Sequence, residues 1–200
     1  MSTDIMRYEL PPEGISLLGY IVRRMHKTGL LAKVPALLKD GQTKLALENI
    51  AMYAATSSTS FGRAYYQPRF NRVGESVEEH DPETDAHIRA TLVSDSPHYH
   101  ITYIVSMSNG DVFTGEERIT GTTVGLRGLG MPAPSKFNFT SGEYSAEITG
   151  VLTSELVLSL FGNTKIRAYG FLNFNDSAGN SGKLTLDRKK NIKIEITEKQ

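Results

Sequence analysis

Two histidines, His98 and His100, are the residues whose types and spacing most directly suggest chemistry. Alternate residues of a β-strand point to one face about 7 Å apart, a distance that two ligands of one metal ion can span. Four further residues that can bind metal lie upstream: His80, Asp81, Asp85 and His87. Because no spacing fixes a third ligand, we interpret the pair as surface histidines and predict no metal site.

A glycine-rich segment, Gly125 to Gly130, looks at first like a phosphate-binding loop. Its spacing matches neither the dinucleotide-binding nor the Walker pattern, and it opens no predicted helix. The sequence also lacks the Gly-x-Ser-x-Gly motif of a serine nucleophile. We therefore predict no nucleotide, flavin or other cofactor. Residues 125–135 are expected to form a loop that either covers a binding cavity or merely connects two strands.

Glu116 and Arg118 are the charged pair for which we predict a site inside the fold. If Asn109-Gly110 forms a two-residue type I′ turn, Tyr103 faces Glu116 across the hairpin, and Tyr99 lies on the same side. The opposite side is more polar, so this side should face inward and bring both charges with it. Buried charges need hydrogen bonds, which the tyrosine hydroxyls could supply.

Glycines also bear on this prediction. A β-bulge at Gly115 would shift the register by one residue and turn both charges to solvent. Gly150 and Gly170 lie inside strand patterns, where a glycine marks a bend or a close approach to the backbone. The candidate ligand-binding residues are Tyr99, Tyr103, Glu116, Arg118 and Gly170.

The elements that position these residues change character near residue 61. Apolar residues from Ile15 to Met25 recur every three or four positions, as in a helix. We expect Pro35 to break a short following segment, a second helix from about Gln42 to Ala55, and a loop in the Ser/Thr run 56–60. A first strand is possible within 61–86. The acidic stretch 75–85 predicts an exposed loop.

From His87 onward the apolar period is two, which predicts strands. We expect about eight strands, at 87–94, 98–107, 111–123, 136–140, 143–153, 155–162, 165–175 and 182–197. The fold class is mainly β: an antiparallel meander that closes into a barrel or packs as a sandwich, preceded by helices. The predicted divisions are a helical segment at 1–60, a connection at 61–86 and a β-domain at 87–200.

Composition narrows the function classes. The 200 residues contain no cysteine, which excludes disulfides, thiolate zinc sites and iron–sulfur clusters. Lys+Arg and Asp+Glu both number 22, and a nucleic-acid partner would favour a basic excess. With no apolar run of about 20 residues and no secretory signal, we expect a cytoplasmic protein without a membrane span. The apolar helix positions predict a homo-oligomer formed through the N-terminal helices.

Two stretches carry a family resemblance: His98–Gly121, and Ile166–Phe174 with its continuation Leu184–Arg188. Their hairpin rhythm and glycine placement resemble the β-domain that accompanies some glucose–methanol–choline flavoenzymes of the cholesterol-oxidase-like kind. No flavin fingerprint is present. The resemblance implies an accessory lipid- or sterol-related domain, and not the oxidase itself.

Three functional hypotheses follow. The first is a β-barrel that binds a small apolar or amphipathic molecule, lipid- or sterol-like, on an aliphatic lining. The second is a cofactor-independent enzyme, of isomerase or cyclase type, that uses polar groups in the same cavity. The third is an accessory subunit with a filled barrel. An open apolar cavity favours the first, a buried charged pair the second and a filled interior the third.

Overall fold

The computed structural model describes residues 17–65, 72–125, 128–158, 164–189 and 191–197. The helices are α1 (Leu17–Lys27), α2 (Val34–Lys39) and α3 (Thr43–Tyr65). A 3-10 turn at Leu31–Lys33 precedes α2. The strands are β1 (Ser76–Asp81), β2 (Ala86–Ser94), β3 (Tyr99–Met107), β4 (Val112–Ile119), β5 (Thr123–Gly125), β6 (Gly128–Ser141), β7 (Tyr144–Leu158), β8 (Thr164–Asp176), β9 (Ser181–Leu186) and β10 (Ile192–Thr197).

All ten strands belong to one antiparallel sheet. Neighbouring strands follow chain order from β1 to β10, except that β5 pairs only with β6 and leaves β4 beside β6. The mainly β, antiparallel meander with preceding helices is thus confirmed. The closed barrel is not: β1 and β10 are the two edges, and no pairing joins them within the described residues.

Helix α3 lies against one face of this sheet, here called the inner face, and contacts β4, β6, β7, β8 and β10. One hydrophobic core unites the helices with the sheet. Its largest fully buried side chains include Tyr103, Phe113, Phe137, Phe139, Leu47 and Ile50. A helix therefore fills the space that an eight-stranded barrel would keep for its own side chains or for a ligand.

Helix α3 is longer than the sequence pattern predicts. The prediction of a loop in the Ser/Thr run 56–60 is wrong, because the helix continues through it to Tyr65. The Thr56 hydroxyl donates to the Met52 carbonyl at 2.9 Å, and the Ser57 hydroxyl donates to the Tyr53 carbonyl at 3.1 Å. Such bonds to the preceding turn satisfy the hydroxyls inside the helix, so a buried Ser/Thr run need not end it.

The other helices also contribute buried residues to the core. Pro35 does not break α2 but lies in its first turn, where the missing N–H is not needed. Val22 and Met25 of α1 are fully buried. These two residues pack inside the chain, and the predicted homo-oligomer contact through the N-terminal helices stays a prediction. Residues 1–16 lie outside the described residues.

Two segments expected to be loops are strands. The acidic stretch 75–85 contains β1 and its turn to β2. The segment 128–135 belongs to β6, which pairs with β7 along its whole length, so the predicted lid is wrong there. Glycines and prolines are typical of loops, but here pairing with neighbouring strands decides the structure. Strand β7 is continuous where we predicted two strands, and the predicted three-part division of the chain stays a prediction.

Candidate functional site

A buried carboxyl group, Glu117 of β4, lies between the sheet and α3 and is fully buried. The Tyr103 hydroxyl of β3 donates a 3.0 Å hydrogen bond to its Oε2 atom. The Ser135 hydroxyl of β6 lies 3.4 Å from Oε1, and Ser58 of α3 also hydrogen-bonds the carboxyl group. Burial raises the pKa of Glu117 to about 7, although the three hydroxyls act in the opposite direction.

The Ser/Thr run of α3 supplies the helix side of this polar cluster. The hydroxyls of Ser58 and Ser135 lie 2.8 Å apart, although 77 positions separate them in sequence. Both residues are buried. Burial also raises the pKa of Tyr103, so this hydroxyl stays protonated and remains a donor. The cluster can hold or release one proton near neutral pH inside an otherwise apolar interface.

The β3–β4 hairpin explains why Glu117 faces inward and its neighbours do not. Its loop has three residues, because the Met107 N–H bonds the Asp111 carbonyl at 2.9 Å and Gly110 N–H bonds the Met107 carbonyl. Tyr103 therefore pairs with Gly115 and not with Glu116. One additional loop residue moves every β4 side chain to the other face.

Glu116 and Arg118 consequently point outward, and the predicted inward orientation is wrong. The two form a 2.7 Å ion pair, with side chains 43% and 53% exposed. His100 Nε2 lies 3.2 Å from the same carboxylate. Partial burial, followed by the charge of Arg118, lowers the pKa of His100. Whether any of these groups binds a ligand stays a prediction.

The other predicted site residues lie on or beside the inner face. Tyr99 and Tyr103 are buried, 2% and 1% exposed. Gly170 has a φ of +138°, and a Cβ atom there would lie 2.2 Å from the Val151 carbonyl oxygen. Gly150 is equally close to the Phe171 carbonyl oxygen. The glycines therefore mark a close approach of β7 to β8, one of the two alternatives expected of them; a ligand role for Gly170 stays a prediction.

An aliphatic row extends the inner face beyond the polar cluster. Leu129 pairs with Leu156, and Leu156 pairs with Ile166 on the other side, so that the row crosses β6, β7 and β8. Leu129 is 38% exposed, and Leu156 and Ile166 are half-buried. These three side chains therefore leave apolar surface of the inner face uncovered.

His98 and His100 lie outside the core, as the interpretation of the pair as surface histidines predicts. His98 is exposed before β3, and His100 contacts Glu116 on the outer face. Within the described residues, a different group of potential metal ligands lies close together: His80, Asp85 and His87. The sequence shows all three, but only the register of the β1–β2 hairpin brings them side by side.

The basic end of α1 contacts the first strand. Arg23 lies 3.2 Å from Glu79, and His26 lies 3.4 Å from Asp81. Burial lowers the pKa of His26, partly offset by Asp81. None of the helices in the described residues is both long and apolar enough to span a membrane.

Comparisons with known proteins place the fold. No protein-family model matches the chain, and no curated protein matches it. A structure of the Osh1 ORD domain in complex with cholesterol is 18% identical, with a TM-score of 0.67 over 95% of this chain. A structure of the same domain in complex with ergosterol is also 18% identical, with a TM-score of 0.69 over 96% of this chain.

The match defines the fold and corrects one prediction. In both cases the alignment covers 47% of the other chain, so this chain spans about half the length of the structures it matches. These neighbours are ORD domains, so the resemblance to the β-domain of glucose–methanol–choline flavoenzymes is wrong. Hairpin rhythm and glycine placement, on which that resemblance depended, are shared by many unrelated β-meanders.

Proposed function

We propose that this chain is a lipid-binding β module whose ligand is a sterol or a molecule of similar shape. The observation that carries the proposal is the shared fold, over 95% and 96% of this chain, with ORD domains in complex with cholesterol and ergosterol. Because the chain spans about half of those structures, the proposal concerns the contribution of this half to binding.

The aliphatic row of Leu129, Leu156 and Ile166 is the proposed contact surface. It lies on the inner face, and its partial exposure leaves apolar area that a ligand would remove from water. Each Å² covered contributes about 25 cal/mol, so a rigid ring system across three side chains gains several kcal/mol before the costs of association.

A filled interior supports a second candidate, the accessory module. Helix α3 contacts β4, β6, β7, β8 and β10 and thus covers a large part of the inner face. The enzyme hypothesis is not carried further, because it depended on an inward pair of Glu116 and Arg118, and these lie on the outer face. We further propose a cytoplasmic location, because a chain without cysteine suits a reducing compartment.

A fluorescent sterol distinguishes the two candidates. Purified chain is titrated into dehydroergosterol, and unlabelled cholesterol is added as competitor. The proposal predicts saturable binding that cholesterol reverses. Leu156→Glu should weaken it at least tenfold, because it places a charge on the contact surface. The matched control is Val151→Glu, which also replaces an aliphatic residue of β7 by glutamate but on the opposite face, and which should bind as the original chain does.

The experiment distinguishes a loss of folding, an absence of sterol binding and sterol binding at another surface. Thermal unfolding of both variants checks that each remains folded. Absence of saturable binding by the original chain contradicts the proposal and favours the accessory module. Equal weakening by the two variants would place the ligand elsewhere and contradict the aliphatic row.

A further inference from the structure

The β1–β2 hairpin, at an edge of the sheet, places two histidines directly opposite each other. His80 pairs with His87 in the register. Their rings stack with centroids 4.6 Å apart and an interplanar angle of 28°. Both side chains are exposed on the outer face, whereas Glu79 on the same strand points to α1. Cross-strand neighbours of this kind can offer nitrogen atoms to one ion.

The turn of the same hairpin adds a carboxylate. Asp85 adopts a left-handed backbone conformation with φ of 51°. Its Oδ1 atom lies 2.8 Å from Nε2 of His80. Ser108, in the loop between β3 and β4, also hydrogen-bonds this carboxylate. The turn and the serine thus hold the third group beside the histidine pair.

We propose that His80, Asp85 and His87 form a binding site for a transition-metal dication of the Zn²⁺ class. One potential ligand atom from each residue lies within 4.8 Å of the other two. Tetrahedral zinc needs neighbouring ligands roughly 3.3 Å apart, as follows from metal–ligand bonds of about 2.0–2.1 Å. Exposed side chains reach this spacing by small rotations, which take picoseconds to nanoseconds.

The chemistry of the three groups selects the metal. Two imidazoles and one carboxylate suit Zn²⁺, Cu²⁺ and Ni²⁺, whereas Mg²⁺ and Ca²⁺ prefer oxygen ligands alone. Three protein ligands leave a fourth position for water or an external anion. The histidines also line an outer groove of about 530 Å³ together with Arg89 and Ser106, so small solutes can reach the site.

The Asp85 contact to Ser108 resembles the outer contacts that orient metal ligands in proteins. Without metal, the same geometry serves as an ion pair between His80 and Asp85 when the histidine is protonated. The two interpretations differ in one measurable respect. An ion pair needs only His80 and Asp85, whereas a metal site also needs His87.

Equilibrium dialysis against ZnCl₂ in a non-chelating buffer at neutral pH tests the site. We expect one Zn²⁺ per chain, and at least tenfold weaker binding in both His87→Ala and Asp85→Asn. His98→Ala is the matched control: it removes an exposed histidine outside the cluster and should leave the affinity unchanged. Mg²⁺ at the same concentration should not compete. The imidazole NMR signals of His80 and His87 should shift on zinc addition.

The proposal is overturned if the original chain retains no stoichiometric zinc. It is equally overturned if His87→Ala binds as tightly as His98→Ala, because the metal would then lie elsewhere. We expect the variants to fold, because the exposed hairpin positions contribute little to the core. Thermal unfolding in EDTA checks this. Neither result depends on sterol binding, so the lipid-binding proposal is tested separately.

Discussion

The hydroxyl of Tyr103 donates a 3.0 Å hydrogen bond to Oε2 of Glu117, and both side chains are buried between the sheet and α3. The two residues lie on neighbouring strands and are offset by two positions from direct pairing. Burial raises the pKa of Glu117 to about 7. The core therefore contains a carboxyl group that changes its charge near neutral pH.

The first prediction concerns the pH dependence of stability. The pKa of Glu117 in the folded chain, about 7, lies above the ordinary value of 4.5, so the folded state binds this proton more tightly than the unfolded chain does. The contribution of Glu117 to the free energy of unfolding is largest below about pH 4.5. This contribution falls as pH rises and is lost above about pH 7. The total decrease is up to about 3 kcal/mol.

Urea unfolding of the original chain and of Glu117→Gln between pH 5 and 8 measures this contribution. The difference between the two proteins matters, because burial lowers the pKa of His26 and His100, which act in the opposite direction. Glu117→Gln should gain stability relative to the original chain as pH rises. Glu116→Gln, on the outer face, is the control. If the free energies of unfolding of Glu117→Gln and of the original chain change in parallel with pH, the prediction is contradicted.

The second prediction is that Tyr103→Phe destabilises the chain more at pH 8 than at pH 5. The substitution removes one hydrogen-bond donor from a buried carboxyl group, at a cost of about 1–3 kcal/mol, and the charged form loses more. The same substitution in a Glu117→Gln background isolates the pair. A cost independent of both pH and background would show that Tyr103 contributes only through packing.

The third prediction concerns the close contact of β7 and β8. Gly150→Ala should destabilise the chain by about 1–3 kcal/mol, the usual cost of overpacking. The new Cβ atom would lie 2.2 Å from the Phe171 carbonyl oxygen, and the backbone has to shift. Gly121→Ala is the matched control, since nothing lies within 4 Å of a Cβ atom there. If Gly150→Ala and Gly121→Ala have equal midpoints in thermal unfolding, β7 and β8 accommodate the methyl group without a loss of stability.

The fourth prediction is that Arg118→Ala changes stability by less than about 1 kcal/mol, as is usual for exposed ion pairs. The Arg118 side chain is 53% exposed and pairs with Glu116 on the outer face. Because the aliphatic row lies on the other face, dehydroergosterol binding should be unchanged. A tenfold loss of sterol affinity in this variant would place the ligand on the outer face.

The sequence alone determined the features that depend on local periodicity. The period-two pattern after His87 predicted the antiparallel meander, and the three- and four-residue spacing of apolar positions predicted helical α1. Glycines within strand patterns, at 150 and 170, indicated a bend or a close approach of the backbone, and the structure shows the close approach. These features follow from neighbours in the chain, so a pattern of residue types suffices to find them.

Tertiary structure decided the features that depend on register and on partners far along the chain. One additional residue in the Asn109-Gly110 loop exchanged Glu116 for Glu117 at the inner face. The Ser/Thr run became helix because α3 is buried against the sheet, where hydroxyls bond to the preceding turn or to Ser135. The sheet stayed open because closure needs a pairing of its edge strands, which no local pattern encodes. The side-chain alternation of a strand has a period of two, so a shift of a single residue exchanges its buried and exposed faces.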